Sequence, residues 1–81
     1  MMATDPRIGR LRWRARRGMK ELDVLLEAYF KGDLSTCDEQ TLTLLERLLD
    51  CQDPELLDWL LGHSVPQDAQ LRRIIEVILE A

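Results

Sequence analysis

Eighty-one residues with a net charge of −4 leave room for one small domain, spanning 1–81, and no second. A chain this short buries only about 60–65% of its unfolded surface. A substrate cavity of roughly 300–1,000 Å3 would hollow out such a core, which argues against an enzyme.

The charge is unevenly placed. Arg7, Arg10, Arg12, Arg14, Arg16, Arg17 and Lys20 stand in residues 1–20 beside one acid, Asp5, whereas residues 21–81 hold four basic and fourteen acidic residues. A basic first segment points to an acidic partner, a nucleic acid or a membrane surface. Cys37 and Cys51 are the only cysteines and His63 the only histidine, too few for a zinc set, so no metal site is expected. Two free thiols without a secretory signal fit a reducing compartment. No apolar run approaches the ~20 residues of a membrane span.

In chain order, Asp5-Pro6 opens a first helix over about 6–17, with Asp as cap and Pro in the first turn. Ile8, Leu11 and Ala15 recur on one side of it and arginines fill the others. Gly18 stands where a glycine can close a helix with positive φ. A second helix covers about 19–31 on the stripe Leu22, Leu25, Leu26, Tyr29 and Phe30. Glu21 and Asp23 lie in its first turn, where the helix dipole favours negative charge, and Gly32 stops it. A third helix covers about 38–50, starting at Asp38 or from Thr36 with Glu39 as a capping box; Leu42, Leu44, Leu45, Leu48 and Leu49 form its apolar face. Asp53-Pro54 repeats the Asp-Pro start of a short helix over about 54–61, ended by Gly62. Pro66 opens the last, over about 66–80, with Leu71, Ile74, Ile75 and Ile78 buried. No stretch alternates with period two, so the fold class is all-α, with five helices.

Arg17-Gly18-x-x-Glu21 sets strong positive and negative charge across a tight corner. It reads in two ways. As a connector, Gly18 closes one helix while the arginines and Glu21 complement the two helix dipoles. As a recognition knuckle, arginine offers a planar fork, glycine admits a partner backbone, and Glu21 orients the arginine or pairs across an interface. Trp13, among arginines and off the apolar stripe, is either core or an interface anchor; Trp59, in a leucine-rich helix, reads as core. The ladder Arg10, Arg12, Arg14, Arg16 and Arg17 would bind nucleic acid only against the repulsion of an acidic remainder, so none is expected as partner. His63, Ser35 and Ser64 read as loop residues. The acids at Asp50, Asp53, Glu55 and Asp58 lack calcium-loop spacing.

Arg16-Arg17-Gly18-Met19-Lys20-Glu21-Leu22-Asp23, followed by Tyr29-Phe30, Glu46-Arg47-Leu48-Leu49-Asp50 and Asp53-Pro54-Glu55-Leu56-Leu57-Asp58-Trp59-Leu60, resembles the small FAD assembly factors of succinate dehydrogenase, the succinate dehydrogenase assembly factor 2 family. The resemblance covers nearly the whole chain and includes the RGxxE motif at Arg17, Gly18 and Glu21, with Arg10 and Trp13 at the expected offset upstream. One departure is Cys37-Asp38, where relatives often carry Leu-Ser. The resemblance implies a single small five-helix bundle that is an assembly factor, not an enzyme. It would bind the flavoprotein subunit of succinate dehydrogenase, and that of fumarate reductase where one exists, and promote covalent attachment of FAD to a histidine of that subunit. It implies partner contacts at Arg10, Trp13, Arg16, Arg17, Gly18 and Glu21, no catalytic residues, and no stably bound cofactor, FAD being attached to the partner. The lack of a presequence fits a bacterial cytoplasmic protein, or a mitochondrial matrix one only if a presequence has been removed. The alternative is a regulatory interaction module, such as an antitoxin-like partner of a membrane toxin.

Overall fold

The structure, a computed structural model, describes residues 6–32 and 34–80. Among the described residues five α-helices follow one another: α1 (Pro6–Arg14), α2 (Lys20–Phe30), α3 (Glu39–Leu49), α4 (Asp53–Leu60) and α5 (Ala69–Leu79), with a short 3-10 turn at Leu34–Thr36. The all-α expectation holds, and there is no strand among the described residues. The helix stripes form one core. Leu22, Leu26 and Phe30 from α2, the five leucines of α3, Leu56 and Leu60 from α4, and Leu71, Ile74, Ile75 and Ile78 from α5 are buried together with Ile8, Leu11 and Ala15. Leu25, Tyr29, Leu57 and Trp59 pack partly buried against its edge, and the Tyr29 and Phe30 rings meet edge to face at 5.5 Å. α3 lies between α1 and α5, while α2 packs on α4 and α5. None of the described helices is long and apolar enough to cross a membrane.

Two helix limits differ from the sequence expectation by several residues, each for a physical reason. The first helix ends at Arg14 rather than Arg17, because the next residues are drawn into contacts described below. The last begins at Ala69 rather than Pro66, because Asp68 is the cap: its Oδ1 accepts the N–H groups of Gln70 and Leu71 at 2.8 and 3.2 Å. Pro66 is buried ahead of it, and its carbonyl accepts Arg72 Nη1 at 3.0 Å. α3 starts from Asp38, whose Oδ1 accepts the Thr41 N–H at 2.8 Å, and not from a Thr36 box. The Asp5 cap lies outside the described residues. Gly62 ends α4 as expected. At φ 79° it donates to the Trp59 carbonyl at 3.2 Å, and His63 N–H reaches the Asp58 carbonyl at 2.9 Å, the paired bonds of a Schellman ending.

The charge imbalance along the sequence turns out to be largely a packing device. On α1, Arg7 donates to Glu39, Thr43 and both Glu46 oxygens of α3, and Arg14 pairs with Asp50. Arg12 instead crosses to the end of α2, donating to the carbonyls of Phe30 and Gly32 at 2.9 and 2.7 Å, where helix carbonyls lack internal partners. Arg47 of α3 ties Asp68 and Gln70 at the start of α5. A basic first helix on an acidic third helix therefore accounts for much of what the composition ascribed to outside partners.

These contacts fix the pH response. The Arg7 hydrogen bond holds Glu46 below its ordinary carboxyl range, as the Thr41 side chain and N–H hold Asp38, and as Arg47 and two backbone N–H groups hold Asp68. Groups whose folded pKa is depressed contribute stability that is complete above their unfolded values, about 4, and lost as pH falls through the folded ones. Thermal melts should be flat from neutrality to weak acid and drop below about pH 4; Glu46→Gln should flatten that drop. At the core, Leu45→Ala should cost about 3 kcal/mol in denaturant unfolding.

Candidate functional site

After α1 the chain takes one more tightening turn. Ala15 N–H reaches the Leu11 carbonyl at 3.0 Å and Arg16 N–H the Trp13 carbonyl at 3.1 Å. Arg17 then leaves the helix, its N–H donated to Asp23 Oδ1 of α2 at 2.7 Å. Gly18 follows at φ 81°, a left-handed value that costs an L side chain about 1–2 kcal/mol. Met19, extended at φ −108°, leads into α2 with no side-chain cap. Gly18 is therefore not the residue that closes α1, as expected from sequence, but the pivot of a connector that begins three residues earlier.

The Arg17 side chain turns inward and is only 16% exposed. Its Nε donates to Asp53 Oδ1 at 2.7 Å, its Nη1 to the carbonyls of Leu49 and Arg14 at 2.8 and 3.3 Å, and its Nη2 to the Cys51 carbonyl at 2.9 Å. The end of α3 concentrates partial negative charge and unpaired carbonyls, and a guanidinium has enough donors in one plane to serve several acceptors at once. Asp53 had been expected to cap α4. It is instead that helix's first residue, and its carboxylate holds Arg17; the cap position falls to Gln52, whose N–H donates to Glu55 Oε1 at 3.3 Å.

The other residues expected to meet a partner face solvent. Trp13 is 72% exposed, settling its position as surface rather than core. Arg10, Arg16, Gly18 and Glu21 are exposed too, and the side chains of Arg10, Arg16 and Glu21 make no hydrogen bond or ion pair with any described residue. Arg10 and Trp13 stand three residues apart on α1, neighbours on one helix face. Space is open at Gly18, where a Cβ would meet nothing within 4 Å. Glu21 does not orient Arg17: Asp23 holds its backbone and Asp53 its side chain. These two acids were missed as positioning groups because each also fitted a local role at a helix start. No local pattern could have shown that an acid thirty-six residues on would meet Arg17.

Elsewhere, His63 lies 3.7 Å from Asp58 on the surface, with both side chains well exposed. Tyr29 Oη and Cys37 Sγ are 3.7 Å apart, and burial with that contact pushes the phenol up to about 12. Cys51 is half-buried, and burial with nearby Glu55 and Asp50 raises its thiol pKa, so it remains protonated at neutral pH. No group of three or more His, Cys, Asp or Glu among the described residues could hold a metal ion.

Comparison with known proteins bears on the chain as a whole. A family model described as the flavinator of succinate dehydrogenase matches residues 9–81. The chain is 37% identical over 79 residues to the FAD assembly factor SdhE of Pseudomonas aeruginosa, which covers 98% of this chain and 94% of that one. It is 41% identical over 69 residues to the protein of that name in Coxiella burnetii, covering 85% and 84%. With the one from Shewanella oneidensis it shares 43% over 68 residues, covering 84% and 83%.

The geometry separates brace from surface in a way stability measurements can read. Arg17→Ala leaves the Leu49 and Cys51 carbonyls without their charged donor and should lower unfolding free energy by about 2 kcal/mol. Glu21→Ala and Arg16→Ala, which remove no side-chain hydrogen bond or ion pair with the described residues, should stay within about 0.5 kcal/mol of wild type. Urea unfolding of the three variants checks both.

Proposed function

The chain belongs to the family of flavinators of succinate dehydrogenase, and from that premise we propose that it binds the enzyme's flavoprotein subunit and promotes covalent attachment of FAD to it. The histidine that receives the flavin and the flavin itself belong to the partner. This chain holds no FAD stably and works as an assembly factor in the cytoplasm of a bacterium, without acting as the catalyst. The flavoprotein of fumarate reductase is a second client of the same surface.

The observation that carries the reading is the division at the corner. Arg17 is fixed by the chain's own carbonyls and acids, while Trp13, Arg16, Gly18 and Glu21 on either side of it are exposed. A rigid brace under a large exposed ring and charges without partners is the composition of a binding hot spot. Arg10, Trp13, Arg16, Gly18 and Glu21 meet the partner in this reading, and Arg17 of the same motif acts by holding their backbone in place. Docking of such a surface can hold the flavin-accepting parts of the partner in reactive geometry. Correct positioning alone contributes up to about 7–11 kcal/mol in well-oriented reactions, so the helper need supply no acid or base.

The test is the covalent flavin content of the succinate dehydrogenase flavoprotein, read by in-gel fluorescence with and without this chain. Fluorescence should fall without it and return with wild type. Trp13→Ala and Glu21→Ala should fail to restore it although they melt with wild type. Unchanged fluorescence in the absence of the chain, with no second factor present, overturns the proposal.

A further inference from the structure

Three cations converge on a groove of about 420 Å3 between the end of α1 and α2, lined by Arg12, Arg16 and Lys31 together with Asp23 and Glu27, over Ala15 and Phe30. Their roles differ. Arg12 already serves the α2 end through the Phe30 and Gly32 carbonyls. Asp23 is engaged by the Arg17 N–H. Arg16 and Lys31 have no hydrogen-bonded or ionic side-chain partner among the described residues. Even Glu27, four residues before Lys31 and in the favoured order for a helix pair, forms no ion pair with it. Gathering cations costs mutual repulsion, and for Arg16 and Lys31 no side-chain hydrogen bond or ion pair among the described residues offsets it. Two other surface grooves, along α5, are lined by equal numbers of opposite charges. This one carries three cations against two acids, in a protein whose net charge is −4.

We infer that this groove seats an acidic segment of the flavoprotein, with one carboxylate side chain received between Arg16 and Lys31. The inference rests on the reading above and adds a second point of contact, with its chemistry, beside the corner. Arg16 belongs to both places, so the groove continues the proposed surface. A single excess positive charge matches a carboxylate. A phosphate dianion would bring twice a carboxylate's charge beside Asp23 and Glu27, which disfavours a nucleotide or free phosphate as occupant. Lys31 is thus a specificity residue for the partner, acting outside the RGxxE motif.

The experiment measures affinity for the purified flavoprotein subunit at low and high salt, using wild type, Lys31→Glu, Lys31→Gln, Glu21→Ala and Arg73→Glu. Arg73 carries the same charge on a different face, so its variant controls for net charge. Lys31→Glu should bind about tenfold more weakly and with a shallower salt dependence, Lys31→Gln should fall between, and Arg73→Glu should match wild type. Circular dichroism melts confirm that each variant folds; should Lys31→Glu melt early, Lys31→Gln carries the comparison. Equal binding by Lys31→Glu and wild type, or equal losses in Lys31→Glu and Arg73→Glu, overturns the groove. If Glu21→Ala weakens binding while both Lys31 variants do not, the corner stands and the groove falls. Absence of wild-type binding overturns the functional reading along with it. Inorganic phosphate that competes with wild type but not with Lys31→Glu would make the groove a phosphate site and overturn the carboxylate assignment.

Discussion

The guanidinium of Arg17 has to satisfy the end of α3 and the start of α4 together. Its donors reach the Leu49 and Cys51 carbonyls and the Asp53 carboxylate, with a longer bond back to Arg14. Helix ends carry orphan carbonyls that must find donors, and an α3–α4 link this short has few of its own. Borrowing the donor from the α1–α2 connector fixes where that connector lies. Once the side chain is inside, the backbone at Arg17 can no longer continue α1, and its N–H turns to Asp23 of α2. One residue, through its side chain and its backbone N–H, thus ties four helices together and carries the exposed corner on a rigid base.

The same economy governs the rest of the first helix. Its arginines are unevenly divided between structure and surface, though they look alike in sequence. Arg7, Arg12 and Arg14 hold α1 to α3 and to the end of α2. Arg10 and Arg16 are left at the surface beside Trp13. Because surface ion pairs contribute little each, the apolar residues Ile8, Leu11 and Ala15 supply most of α1's attachment, and the charges select its register and orientation on α3. This ordering explains how a chain with a small core keeps a polar helix in place and still presents free cations. It also implies that loss of function on mutating an arginine here has two different meanings. In the proposed reading it reports a displaced surface at Arg17 and a missing contact at Arg16.

Much of the fold was legible in the residues. Leu22, Leu26 and Phe30 on α2 and Leu71, Ile74, Ile75 and Ile78 on α5 occur at helical spacing and are buried as the spacing requires. Gly62 ends α4 as a glycine at that place should. The errors arose where two local signals competed. Pro66 and Asp68 both mark helix starts, and Asp68 prevailed because its carboxylate satisfies two backbone N–H groups. Asp53 fits a cap and also an ion pair, and the ion pair prevailed because Arg17 lies within reach and Gln52 can take the cap position. The corner was legible as a place, from its glycine and its opposed charges, but not as an arrangement: Glu21 was the nearest acid in sequence, yet Asp23 and Asp53 hold Arg17.

The sequence by itself determined the class of fold, the buried stripes and the family. All of these depend on periodicity and short-range pattern, which neighbouring residues encode directly. Tertiary structure decided which of several similar arginines is a brace and which is free, that Trp13 is outside, and that Arg12, Arg16 and Lys31 share one groove. The physical reason is that a charge acquires its role from the acceptor it meets. The acceptors of Arg17 lie thirty-two to thirty-six residues away, apart from the nearby Arg14 and Asp23, and come within hydrogen-bonding distance only when the helices pack.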